Sequence, residues 1–263
     1  MRDDAVVVTG GGSGIGEAVV LACARQRSKV AVLDIDGESA ARVASSATAA
    51  GSPCAVALHC DVSSDEDVRS TFDRVEQVVG LPTRVVANAG IELNNAMHDF
   101  DSAAWRRVLE VNLVGVFLTC REALRLLLAA GSGGSIVCTS SPSAFVGFSG
   151  GGNSAYAASK GGVSALVRSA ALDYAKYGIR VNAVVPGATE TQMLVAGAGQ
   201  VTADDCLRRI RTAASAQIPL GRLAQPSEIA AAVMWLLSDG SSYVTGTNLV
   251  CDGGLLAKSA NDF

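Results

Sequence analysis

Tyr156 and Lys160, in the run Tyr156-Ala157-Ala158-Ser159-Lys160 of this 263-residue chain, have the types and the spacing for acid–base chemistry. On a helix, positions four apart share one face, so the Lys160 ammonium would lie beside the Tyr156 phenol. Asn153 or Ser154 can cap that helix and place Tyr156 in its first turn, where the positive end of the helix dipole favours an anion. An isolated phenol titrates near ~10 and is only ~0.1% ionised at pH 7; a base working near neutrality needs help worth roughly 3–4 kcal/mol. A fixed cation and a helix terminus both act in that direction, and the expectation is a depressed phenol pKa. The same spacing also suits an ordinary amphipathic helix face, so the surroundings must decide.

A glycine-rich turn supplies the second piece of chemistry. Thr9-Gly10-Gly11-Gly12-Ser13-Gly14-Ile15-Gly16 follows an apolar strand pattern and opens a helical one. Glycines there permit a tight turn and close approach by a pyrophosphate, and the amides near Ser13 and Ile15 would face it from a helix N-terminus. Asp34 stands at the end of the second strand pattern. A carboxylate at that place accepts both ribose hydroxyls of an adenosine and repels a 2′-phosphate. No Lys or Arg lies within residues 9–16 to offset the repulsion. The expected cofactor is NAD, with NADP as the alternative.

The elements that must position these groups alternate. Short β-rich runs at Ala5–Val8, Lys29–Leu33, Cys54–Leu58, Arg84–Ala87, Ser135–Cys138, Arg180–Val185 and Asn248–Val250 read as seven buried strands. Helical segments lie between them at Ile15–Arg27, Glu38–Ala50, Ser64–Val79, Ser102–Ala130, Ala155–Tyr177 and Pro226–Leu237. Ser63-Ser64-Asp65-Glu66 has capping-box spacing, Pro226 suits a first helical position, and Gly178 suits a left-handed stop. Alternation of this kind predicts a doubly wound α/β fold, a parallel sheet with helices on both faces, in one domain spanning residues 1–263. The connection 188–217 breaks the rhythm, and a connection that long is expected to be a substrate lid or a disordered loop.

Composition narrows the partner. A hydrophobic content of 49% suits a sizeable core, and a formal net charge of −4 without a basic run argues against nucleic acid. Seven scattered cysteines without a Cys-x-x-Cys pair predict reduced thiols in a cytoplasmic protein and no metal site. The N-terminus shows no signal-peptide core, and no apolar run reaches the ~20 residues of a membrane span. A small-molecule partner is expected.

The Thr-Gly-x-x-x-Gly-x-Gly turn, Asn88-Ala89-Gly90 and the Tyr156/Lys160 pair together resemble the short-chain dehydrogenase/reductase family of single-domain Rossmann enzymes, over nearly the whole chain. The resemblance implies cofactor contacts at Gly10, Ser13, Gly14, Ile15, Gly16 and Asp34, adenine contacts at Asp61 and Val62, and a cofactor-lining turn at Asn88, Ala89 and Gly90. It places the nicotinamide end against Pro186, Gly187, Thr189 and Thr191, with Tyr156 and Lys160 also touching the cofactor. It implies a catalytic set of Asn112, Ser141, Tyr156 and Lys160, in which Asn112 links Lys160 to solvent through a water relay. The closing turn Asp252-Gly253-Gly254 is implied to be structural.

The catalytic serine has two registers. Position just past the fifth strand selects Ser141; counting back from Tyr156 by the family's usual spacing selects Ser143, and Ser140 is a third choice. A two-residue insertion within Phe148-Ser149-Gly150-Gly151-Gly152-Asn153 reconciles the first two in favour of Ser141. Ser141, Ser143, Phe148 and Met193 are the expected substrate contacts, with Phe145, Val146 and Leu194 as further apolar flanks of the pocket or as lid packing. Gly150–Gly152 should loosen the pocket rim. Gly161 and Gly162 lie inside a helix at a cost of roughly 1 kcal/mol each relative to Ala. That cost suggests close approach by another backbone, either within the chain or across the homotetramer interface that the resemblance implies. The expected activity is reversible hydride transfer between a secondary alcohol and a ketone. A 3-oxoacyl-acyl-carrier-protein reductase and a non-catalytic dinucleotide sensor are the alternatives.

Overall fold

A computed structural model describes residues 4–148, 150–195 and 203–258. Seven apolar runs form β1 (Ala5–Thr9), β2 (Lys29–Asp34), β3 (Ala55–His59), β4 (Pro82–Ala87), β5 (Gly134–Thr139), β6 (Ile179–Pro186) and β7 (Asn248–Cys251). All neighbours pair in parallel, in the order β3-β2-β1-β4-β5-β6-β7. The helices are α1 (Gly14–Arg25), α2 (Gly37–Ala49), α3 (Asp65–Val78), α4 (Ser102–Leu109), α5 (Gly115–Ala129), α6 (Ser154–Tyr174), α7 (Gln192–Val195), α8 (Ala203–Gln217) and α9 (Pro226–Leu237).

The strands need no polar face because both sides are covered; β1 is buried along its whole length. Val6, Val8, Val32 and Val86 meet Val19 and Val20 of α1, Val43 of α2 and Val233 of α9 on one side. Val7, Val85 and Ile136 meet Phe72 of α3, Leu127 of α5 and Val163 and Val167 of α6 on the other. Sheet order reverses beside β1, so the chain leaves β1 and β4 in opposite directions. A crevice opens at their C-terminal ends, where such folds bind ligands.

Several local expectations change in the folded chain. Ser64, not Ser63, caps α3: its hydroxyl accepts from the Asp67 amide at 3.2 Å, while the Asp67 carboxylate turns to the Asp61 amide at 2.7 Å. Asn153 precedes α6 but makes no side-chain cap, because its amide donates to Ser143 Oγ at 3.4 Å. Pro226 opens α9 beside a Gln225/Glu228 capping box, and Gly178 is left-handed at φ 71°. The segment 102–130 is one helical rod interrupted by a π-helical turn at Glu110–Val114. Period-3.6 reasoning cannot show a one-residue insertion of this sort, which is frequent at functional sites.

The connection 188–217 is not a structureless loop over its described part. Thr189 bridges to Ala224, and α7 and α8 carry most of the rest; residues 196–202 lie outside the described residues, as does Ser149 in the proposed insertion. Six cysteines are free thiols, and the Cys206 side chain lies outside the description.

The paired glycines of α6 behave differently from the close-backbone expectation. A Cβ at Gly161 would meet nothing within 4 Å, whereas one at Gly162 would stand 2.8 Å from Leu113 Cδ2 in the π turn. The close neighbour is a side chain of the same chain. Gly161→Ala should therefore raise Tm by about 2–4 °C through helix propensity. Gly162→Ala should lower Tm by a similar amount, because Leu113 must move. Thermal unfolding followed by circular dichroism checks both, and a destabilising Gly161→Ala would mean that a second chain covers that face.

Candidate active site

The crevice is a cavity of about 580 Å³ running from the glycine turn to α8. Its nucleotide end depends on backbone that only glycine can form. Gly10 and Gly14 take φ of 61° and 55°, and a Cβ at Gly16 would lie 2.0 Å from the Gly10 carbonyl oxygen. A Cβ at Gly12 would lie 2.9 Å from Asp34 Oδ2. The turn is tied to its neighbours: Asn88 Nδ2 donates to the Gly10 carbonyl at 3.1 Å, and Thr9 Oγ1 accepts from the Asn88 and Ala89 amides at 3.0 and 3.3 Å. Gly12 N and Asp36 N donate to the two Asp34 oxygens at 2.9 and 3.0 Å, which fixes the carboxylate at the mouth of the turn.

Asp61 and Val62 line the same end, beside Arg107. Partial burial opposes the charge of Asp61, but bonds from Ser63 and Arg107 hold its carboxyl below the usual carboxylate range. Arg42 of α2 was not foreseen; its guanidinium donates to the Gly12 carbonyl at 2.8 Å while pairing with both Glu17 oxygens. Ser13, Ile15, Gly90, Pro186, Gly187, Thr189 and Thr191 line the cavity too. A Cβ at Gly187 would stand 2.6 Å from Asp252 Cα, so the closing turn braces this wall; Asp252 accepts from the Gly254 and Leu256 amides at 2.8 and 2.7 Å. The Cβ-free turn and the anchored Asp34 fit a nicotinamide dinucleotide.

At the floor, β5, α6 and the π turn converge. Lys160 is only 2% exposed, and its Nζ donates to the Thr139 carbonyl at 2.8 Å while lying 5.5 Å from the Tyr156 ring centroid. Ser141 lines the cavity beside Tyr156, and its hydroxyl acts to lower the phenol's pKa. Ser141 Oγ accepts from the Ser143 amide at 3.2 Å. Ser140 instead faces α6, bonding the Lys160 carbonyl at 3.1 Å and Ser164 Oγ at 2.7 Å. Asn112 is fully buried: Oδ1 accepts from the Ile91 amide and Nδ2 donates to the Ile91 carbonyl, both at 2.8 Å, with a further bond to Ser159 Oγ at 3.2 Å. Ser159 passes the connection to the Tyr156 carbonyl at 2.7 Å. Ser159 and Thr139 are additions to the sequence reading; Ser159 sat unremarked inside the Tyr-to-Lys run.

The phenol does not follow the sequence expectation. Burial pushes Tyr156 up to about 12, the Glu92 carboxylate adds to the rise, and the Ser141 hydroxyl only partly opposes it. Burial likewise pushes Lys160 down to about 8, with nearby Cys138 and Glu92 acting against that fall. Desolvation thus outweighs the attraction that i,i+4 spacing suggests, because the ammonium is itself buried.

The outer end is mostly apolar. Ser143, Phe148, Met193, Leu194, Ile210, Ile218 and Leu223 line it with Glu92 and Gln217. Phe145 and Val146 do not line it; they are 48% and 43% exposed on the outside of their turn. The rim glycines are tethered, with the Asn95 amide donating to the Gly152 carbonyl at 2.8 Å. Among the described residues, no cluster of three or more His, Cys, Asp or Glu could hold a metal ion, and no helix is long and apolar enough to cross a membrane.

Comparison with known proteins extends over nearly the whole chain. A family profile described as "Enoyl-(Acyl carrier protein) reductase" matches residues 10–256. The 2-(S)-hydroxypropyl-CoM dehydrogenase 3 of Xanthobacter autotrophicus is 37% identical over 98% of this chain and 98% of its own. The cis-4-hydroxycyclohexanecarboxylate dehydrogenase of Sinomonas cyclohexanicum is 44% identical over 95% of this chain and 96% of its own. The crystal structure of levodione reductase superposes with a TM-score of 0.92 at 32% identity, covering 98% of this chain and 100% of that one. With the glycine turn, the buried lysine and the cavity-lining tyrosine in place, the chain belongs to the short-chain dehydrogenase/reductase family of nicotinamide-dependent oxidoreductases.

Proposed function

We propose that this chain interconverts an alicyclic secondary alcohol and its ketone with NAD, using Tyr156 as the general acid/base. The observation that carries the reading is that Tyr156 and Ser141 line the floor of a cavity that begins at the glycine turn, beside a buried Lys160 held by the Thr139 carbonyl. The bound dinucleotide supplies the hydride acceptor or donor and, when oxidised, a positive charge at its nicotinamide end. Tyr156 takes the alcohol proton in oxidation and returns it in reduction. Ser141 hydrogen-bonds the reacting oxygen and stabilises its developing charge. Lys160 orients the phenol, holds the nicotinamide ribose and favours the phenolate. Asn112 positions the Gly90–Ile91 backbone against Lys160, and by the family resemblance it anchors a proton path to solvent.

Asp34 supports NAD over NADP, since its oriented carboxylate suits ribose hydroxyls and opposes a phosphate. Arg42 does not offset this, because Glu17 already engages its guanidinium. The apolar outer end and the cyclohexane ring in the name of the Sinomonas relative support an alicyclic alcohol over an acyl thioester. A cytoplasmic homotetramer belongs to the same reading.

Tyr156→Phe should lose about 10³-fold in kcat with NADH affinity, read by fluorescence titration, changed by less than about threefold. In the same assay Ser141→Ala should lose about 10²-fold and Ser143→Ala only a few-fold. The opposite order for the two serines would move the oxyanion contact to Ser143. Asp34→Ala should lower the NAD:NADP ratio of kcat/KM by at least about tenfold, a loss of ~1.4 kcal/mol in discrimination; an unchanged ratio would contradict the ribose assignment.

A further inference from the structure

The outer end of the cavity has a charge pattern that hydride transfer does not require. Arg107 is near the adenosine end and is committed to Ser63 Oγ at 2.6 Å and Asp61 at 3.5 Å. Lys160 is buried and committed to Thr139. Beyond these two, no described Lys or Arg lines the cavity, and the charged side chain at its substrate end is Glu92. Glu92 leaves the turn after β4, is exposed, and accepts from Asn94 Nδ2 at 3.2 Å. Its charge reaches both Tyr156 and Lys160.

The arginines of α8 do not supply a cation. Arg208 pairs with Asp205 and Arg211 with Glu190, and the exposed Arg209 does not line the cavity, while the helix turns Ile210, Ala214 and Gln217 toward it. Residues 196–202, Ala-Gly-Ala-Gly-Gln-Val-Thr, contain no Lys or Arg. A carboxylate or sulfonate on the substrate would therefore enter an apolar chamber facing the Glu92 carboxylate.

We propose that Glu92 is a specificity-determining residue that makes the cavity selective for uncharged ring alcohols and rejects ring alcohols bearing a carboxylate or sulfonate. This rests on the dehydrogenase reading above. Like charges across a partly screened cleft of ~6–8 Å translate into roughly 10- to 50-fold in kcat/KM, and the effect shrinks with salt.

The test uses the full-length enzyme with NAD and three alcohols: cyclohexanol, 4-hydroxycyclohexanecarboxamide and 4-hydroxycyclohexanecarboxylate, at 20 mM and at 500 mM NaCl. The wild type should favour the amide over the acid by at least about tenfold, chiefly through KM, and the ratio should narrow at high salt. Glu92→Gln should cut that ratio at least about fivefold, with the amide as internal reference. Equal use of acid and amide by the wild type overturns the charge selectivity and leaves the dehydrogenase reading standing. An unchanged ratio in Glu92→Gln overturns the role of Glu92. Turnover of open-chain 2-butanol with none of the ring alcohols overturns the ring class alone, and no turnover with any alcohol removes the dehydrogenase reading together with this one.

Discussion

The bond from Lys160 Nζ to the Thr139 carbonyl is the constraint on which the rest of this site is built. An ammonium that is 2% exposed is costly unless its protons are met, and here the end of β5 meets one of them. That contact sets the distance between α6 and the sheet, and the distance sets where the Tyr156 phenol ends. The π turn serves the same geometry from the other side. By inserting one residue into the long helical rod, it turns Asn112 inward to hold Ile91 and Ser159, and it brings Leu113 against Gly162. Gly90 is pressed into the space that remains; a Cβ there would stand 3.3 Å from Asn112 Oδ1 and 3.6 Å from Lys160 Nζ.

Burial of this pair favours the protonated phenol, with Tyr156 pushed up to about 12. The phenol is kept neutral, while Lys160, lowered to about 8, remains an ammonium held by the Thr139 carbonyl at neutral pH. The positive nicotinamide end would then tip the phenol toward ionisation where hydride is to be accepted.

Much of this was legible in the residues. The strand and helix alternation, the glycine turn, Asp34 and the Tyr156/Lys160 pair are local patterns with local physical causes, and position after β5 pointed to Ser141, which lines the cavity together with Ser140 and Ser143. What escaped depends on distance along the chain or on burial. Arg42 reaches Gly12 only because α2 folds back beside α1, Thr139 contributes a carbonyl that no side-chain motif advertises, and the π turn leaves the apolar pattern unbroken. The direction of the Tyr156 shift was misread for the same reason: spacing reveals a neighbouring charge but not the loss of water around both groups. Phe145 and Val146 were read by proximity in sequence as pocket flanks or lid packing, and the short turn after Ser141 carries them outward from the cavity.

The central claim is that Tyr156 is held neutral by burial until the cofactor binds. Carbon-13 NMR of the tyrosine Cζ signals, with Tyr156→Phe assigning one of the four tyrosines, measures this directly. Without cofactor the Tyr156 signal should remain in the phenol form through pH 10 and titrate at about 12, and saturation with NAD should move its midpoint downward. A midpoint at or below the ordinary tyrosine value of 10.0 in the cofactor-free protein would contradict the account.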